Sequence, residues 1–219
     1  MNEQLHYPLL EVKGLECIRN HRRLFHALDF IAPVGKITVI KGKNGAGKSS
    51  LLKMLAGFLT YNMSGDILYR GSPLSQVEMD DLHDTLLFIG HESYLSYYLT
   101  VRENMLFLMN LAGVRLASYS EIEQVLTRLD LLDYHDELVG LLSEGQKRKI
   151  ALSRLWLAKQ PLWILDEPFS SLDHHSVLEM EKLFTTHVEK KGAIILTSHQ
   201  YFNLIPADLI HEIDLDEYS

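Results

Sequence analysis

A single cysteine, Cys17, leaves no pair for an internal disulfide, so the fold must stand on packing alone. Long apolar runs are missing too. Nothing approaches the ~20 consecutive apolar residues of a bilayer span, and the opening MNEQLHYPLL carries no basic stretch leading into an apolar one. The chain is therefore expected to stay on the cytoplasmic side, where it is made, and to meet a membrane only through a partner. Positive charge is also scarce: acidic residues outnumber basic ones 29 to 21, a formal charge of -8. That balance disfavours non-specific binding to nucleic acid, and no nucleic-acid partner is expected. Internal repeats, low-complexity tracts and long linkers are absent, and no CxxCH offers covalent haem attachment.

What is present is an ordinary globular balance, 47% hydrophobic and 23% charged, in 219 residues, enough for one large domain or a domain with a subdomain. Near the N-terminus, LLEVKGLECI and LFHALDFIA alternate with polar breaks, as a small, partly antiparallel β layer would. KITVIKG, TLLFIGH, PLWILDE and GAIILTSH are short runs rich in Val, Ile and Leu, bounded by Gly, Pro or polar residues. They predict strands buried on both faces of a mainly parallel sheet, giving an α/β fold. Leu51, Leu52, Leu55 and Leu59 fall at helical spacing, and Thr100 with Glu103 makes a capping box before MLFLMNLAG. From about 95 to about 159 no strand run stands out, so this stretch reads as a helical subdomain inserted between core segments of about 1–94 and 160–219.

Directly after KITVIKG comes GKNGAGKS, Gly42 to Ser49, matching G-x-x-x-x-G-K-[ST] between a strand and a helix. Gly42, Lys43, Asn44, Gly45, Ala46 and Gly47 would turn backbone amides onto phosphate oxygens, with Lys48 on the β- and γ-phosphates and the Ser49 hydroxyl on Mg²⁺. Ser50 follows in the same helical turn, whose positive end adds to the attraction. ATP with Mg²⁺ is the expected ligand, since no Asn/Thr-Lys-x-Asp segment is there to read guanine.

The run LWILDEP ends a buried strand in two carboxylates. Asp166 would hold Mg²⁺ from its outer sphere, and Glu167, one step farther, could polarise an attacking water as general base. GAIILTSH ends at His199, where an imidazole could reach the γ-phosphate or that water. Parallel sheets bind ligands at the carboxyl ends of their strands, which is where these three residues should gather. His174 and His175 fall outside such a cluster and are given no function.

The stretch LLSEGQKRK poses a separate question. Ser143 and Gln146 have capping-box spacing, which needs nothing more. Gly145 in that first turn costs about 1 kcal/mol relative to alanine, and three cations follow closely. A helix start kept open in this way is suited to an anion.

Phosphate loop, LSEGQ, LDEP, SSLD and a strand-end histidine occur in one order along the whole chain, and this resembles the ATP-binding subunit of ABC transporters. The resemblance implies that Ser143, Gly145 and Gln146 contact ATP held by a second copy of the chain, in a head-to-tail dimer closing over two nucleotides. It also implies that Asp173 in SSLD communicates between the two sites and that Glu167, His199 and Lys48 serve hydrolysis. Two positions depart from the family pattern. His91 stands where the family has a metal-contacting glutamine, and Arg19 lies near the position of an aromatic residue that stacks on adenine, a role a guanidinium can also fill. Those departures, with RLWL and LWILDEPF, resemble the cytochrome c maturation branch, which exports or delivers haem. That implies integral membrane partners at the inner face of the inner membrane. The alternatives are an ABC transporter for another substrate or a soluble ABC-type ATPase.

Overall fold

A computed structural model describes residues 8–19, 21–59, 63–111, 118–198 and 201–219. Its strands and helices, in chain order, are β1 (Leu10–Arg19), β2 (Arg22–Ala32), β3 (Ile37–Lys41), α1 (Lys48–Leu55), β4 (Met63–Tyr69), β5 (Ser72–Pro73), α2 (Met79–Thr85), β6 (Leu86–Ile89), α3 (Val101–Leu111), α4 (Tyr119–Arg128), α5 (Glu144–Ser153), β7 (Leu162–Leu165), α6 (His174–Glu189), β8 (Ala193–Thr197) and β9 (Ile210–Asp214).

Five strands form a parallel sheet in the order β6-β7-β8-β3-β9, and four form an antiparallel sheet in the order β2-β1-β4-β5. The four apolar runs of the sequence become β3, β6, β7 and β8. Their unbroken apolar character has a direct cause: the sheet is covered on both faces. Leu162 and Ile164 of β7 pack toward α1 and the antiparallel layer, while Trp163 and Leu165 pack toward α6 with Met180, Phe184 and Val188. β9 was not expected. Its residues are mostly half-exposed or exposed, so IHEID lacks the run that marks its neighbours, and only pairing with β3 makes it a strand.

A third apolar cluster ties α3, α4 and α5 together through Met105, Met109, Ile122, Leu126 and Ile150. The Thr100–Glu103 capping box forms, Glu103 accepting from the Thr100 amide at 2.8 Å and Thr100 Oγ1 accepting from the Glu103 amide at 3.2 Å. These features place the carboxyl ends of β3, β6, β7 and β8 along one edge of the parallel sheet, the edge that α5 reaches.

Candidate functional site

The buried strand β3 delivers the loop Gly42–Gly47 to the first turn of α1. Gly47 has φ 102, and a Cβ there would lie 3.1 Å from Leu24 Cβ and 3.2 Å from Phe25 Cδ1, so the close packing of β2 on the loop requires glycine. No side chain caps α1, which leaves the helix start to its backbone amides. Lys48 is buried, its Nζ donating to the carbonyls of Gly42 (2.6 Å) and Lys43 (3.1 Å), so the ammonium is held across the loop. Asp216, near the C-terminus, accepts the Lys43 amide at 3.2 and 3.3 Å.

Beside this loop lies a cleft of about 530 Å³ whose wall includes Arg19, Arg22, Lys48, Ser49, Ser50 and Glu167. Three cations against one carboxylate make it attractive to a polyanion. Asn44, Gly45 and Gly47 line it as well. Arg19 is thus brought to the phosphate loop by β1, and Arg22, which the sequence did not single out, comes with it from β2. Gly42, Lys43 and Ala46 belong to the loop's backbone and do not line the cleft.

Asp166, 3% exposed, sits at the end of β7 and accepts a hydrogen bond from Thr197 Oγ1 at 2.7 Å. The same hydroxyl accepts the Glu167 amide at 2.8 Å. Thr197 ends β8, next to the Leu165↔Leu196 pair, so one side chain fixes both carboxylate residues by sheet register. Glu167 adopts φ 45, a left-handed conformation uncommon for a non-glycine residue, and this turns its side chain onto the phosphate-loop cleft.

Arg148 of α5 completes the frame. Its guanidinium donates to four carbonyls: Gly90 (2.8 Å) and His91 (3.2 Å) through Nη1, Asp166 (2.7 Å) and Glu167 (3.0 Å) through Nη2. Burial pushes the guanidinium below its ordinary value, against the opposing pull of Asp166 and Glu167. The His91 side chain is exposed and does not line the cleft; the chain uses its carbonyl. His199 lies outside the described residues.

The segment Leu142–Gln146 is elsewhere. Ser143 caps α5, its Oγ accepting the Gln146 amide at 3.2 Å while Gln146 Oε1 accepts the Ser143 amide at 2.9 Å. A Cβ on Gly145 would stand 2.6 Å from the carbonyl oxygen of Ser171, which gives that glycine a packing reason absent from the sequence pattern. Neither Ser143, Gly145 nor Gln146 lines the cleft beside the chain's own phosphate loop.

A nucleotide-binding α/β core with a phosphate loop, a buried Asp-Glu strand end and a capped LSEGQ helix defines an ABC-type ATPase. A profile of the ABC transporter family matches residues 25–170, and the chain belongs to that family as an ATP-hydrolysing, nucleotide-binding subunit. Among its relatives is the cytochrome c biogenesis ATP-binding export protein CcmA of Aliivibrio fischeri, 40% identical over 194 residues, 88% of this chain and 92% of that protein. The CcmA of Colwellia psychrerythraea is 38% identical over 216 residues, 99% of this chain and 96% of that protein. A solved ATP-binding subunit of an ABC transporter, 27% identical, superimposes with a TM-score of 0.74 over 87% of this chain and 79% of that one.

Proposed function

We propose that the chain is the ATPase of a membrane complex that exports or delivers haem for cytochrome c biogenesis, with two copies closing head to tail over two ATP molecules. The observation that carries the catalytic half of this reading is the cleft lined by Lys48, Ser49 and Glu167, in a chain 40% and 38% identical to the two CcmA proteins above over 88% and 99% of its length. Lys48, the loop amides and Ser50 grip the phosphates, with Arg19 against the base. Ser143, Gly145 and Gln146 close over the nucleotide of the second copy, presented by the helical segment of about 95–159.

Hydrolysis asks this chain to orient a water in line with the γ-phosphorus. Glu167, held on its left-handed turn, accepts the water's proton as the new P–O bond forms, and the bridging electron pair leaves with ADP. His199 is proposed to steady the same water. The Ser49 hydroxyl and the Asp166 carboxylate are hard oxygen donors of the kind Mg²⁺ takes, and the ion, when bound, neutralises charge on the phosphates.

No helix among the described residues is long and apolar enough to cross a membrane, so attachment to the inner membrane is proposed to come through integral partners. A groove of about 820 Å³ between α1, β6 and α3, with Phe58, Tyr94 and Leu111 exposed on it, supports such docking. Purification of the chain from membranes, with identification of the polypeptides that accompany it, tests the biological half. Haem-handling membrane proteins are the expected companions; a sugar or metal transporter would overturn the assignment.

A further inference from the structure

The helix α5 and the segment 170–173, distant in sequence, are joined at two places within one chain. Gly145 rests against the Ser171 carbonyl, as described above. Four residues on, and so on the same face of the helix, Lys149 places Nζ 2.5 Å from Asp173 Oδ2 and donates to the Leu129 carbonyl at 3.1 Å. Asp173 divides its carboxylate: the other oxygen, Oδ1, accepts the Ser176 amide at 2.8 Å and caps α6. Desolvation works against its charge, yet the hydrogen bonds from Lys149 and Ser176 hold the carboxyl down at about 2.

Two further contacts join the α4 region to α6, the Arg128–Glu179 ion pair at 4.0 Å and His175 Nε2 with Asp130 Oδ2 at 3.7 Å. Both are long, and their basic members are more than half exposed, so they hold the elements weakly. The Lys149 side chain is only 9% exposed against 53% for Asp173, and at 2.5 Å its pair is the close one, with the buried member the cation.

We propose that Lys149 is a positioning residue that locks the start of α5 to residues 171–173 of its own chain, so that Ser143 and Asp173 meet a second copy as one rigid unit. This rests on the reading that residues 142–146 close over a nucleotide held by that copy. Preorganising the two segments together removes the cost of ordering them separately at closure.

The test uses the full chain with Glu167→Gln, ATP and Mg²⁺, comparing Lys149→Met and Lys149→Arg. Dimer dissociation is followed by analytical ultracentrifugation, and monomer affinity for a fluorescent ATP analogue is measured at protein concentrations below dimerisation. Lys149→Met is expected to weaken the dimer about tenfold, a typical coupling between sites, with monomer affinity unchanged. Lys149→Arg is expected to restore most of the loss, because its charge still reaches Asp173. Equal dimerisation of Lys149→Met and its parent would overturn the proposal. So would a parallel loss of monomer affinity that Lys149→Arg does not repair, which would make the residue merely structural. If the Glu167→Gln parent itself stays monomeric, the two-copy reading fails first and this proposal falls with it.

Discussion

The phosphate-loop cleft and the start of α5 are both helix N-termini proposed to meet phosphate, and they are built in different ways. The first has no side-chain cap and three cations in its wall, one of them Lys48, already drawn across the loop. The second carries a capping box of its own, Ser143 with Gln146, and is braced from behind by Ser171 and Asp173. A gripping site benefits from open amides that a phosphate can take over. A closing surface benefits from a rigid, finished shape presented to something outside the chain. The same backbone physics thus suits a holder in one place and, in the function proposed above, a lid in the other.

The largest expected break in this comparison is chemical. Glu167→Gln removes the proton acceptor from the holder and should lower ATP turnover by about 10²- to 10⁴-fold, leaving nucleotide binding intact. Steady-state hydrolysis against nucleotide retention checks this, and turnover at the parent rate would refute the assignment.

Next comes the lid. Gly145→Val would drive side-chain atoms into the Ser171 carbonyl, whose oxygen would lie only 2.6 Å from the new Cβ. A loss of about 1–3 kcal/mol in stability is expected from such overpacking, together with loss of hydrolysis but retention of ATP by the monomer. Denaturant unfolding and monomer ATP binding separate the two effects.

A smaller break falls on the frame between the carboxylates. Thr197→Val deletes the hydroxyl that joins Asp166 Oδ1 and the Glu167 amide, leaving buried polar groups unpaired at a cost of about 1–3 kcal/mol. Turnover should drop by about two- to tenfold if half of that cost falls on the transition state, while Thr197→Ser should recover much of it.

The smallest effect concerns pH and the face of the sheet away from the cleft. His187 stacks on Trp163 at 3.6 Å, and burial pushes its imidazole down to about 4, though the Pro161 carbonyl it meets at 3.1 Å favours the protonated form. The folded value is depressed below the unfolded one near 6.5. The neutral ring therefore contributes stability fully above about 6.5, and this is lost as pH falls toward about 4. After allowance for partial exposure, the loss is on the order of 1–2 kcal/mol, and His187→Gln should flatten that part of the stability profile.

Much of the holder is legible in the residues themselves, because a phosphate loop is local: GKNGAGKS needs only the strand before it and the helix after it. The same is true of the Ser143–Gln146 and Thr100–Glu103 caps, whose partners lie three residues apart. Arg148, Lys149 and Thr197 are different. Arg148 acts on carbonyls 18 to 58 residues away, and Thr197 meets Asp166 only because β7 and β8 pair with Leu165 opposite Leu196. In the sequence Arg148 and Lys149 count only among the three cations that follow Gly145, and Thr197 is one letter of the run GAIILTSH. Gly145 invited an anion reading alone, whereas its contact with Ser171 is a second, steric reason visible only in three dimensions. β9 escaped notice because IHEID is mostly half-exposed or exposed and carries no continuous apolar run, unlike LLFI of β6 at the opposite edge.

The division into holder and lid is tested most directly by complementation between two crippled chains. Lys48→Ala destroys the holder and leaves the lid; Ser143→Arg does the reverse. Each variant alone should be inactive, and mixing them should restore hydrolysis well above either, because the heterodimer contains one site with both halves intact. Mixtures that form dimers yet remain as inactive as their components would contradict a site shared between two copies.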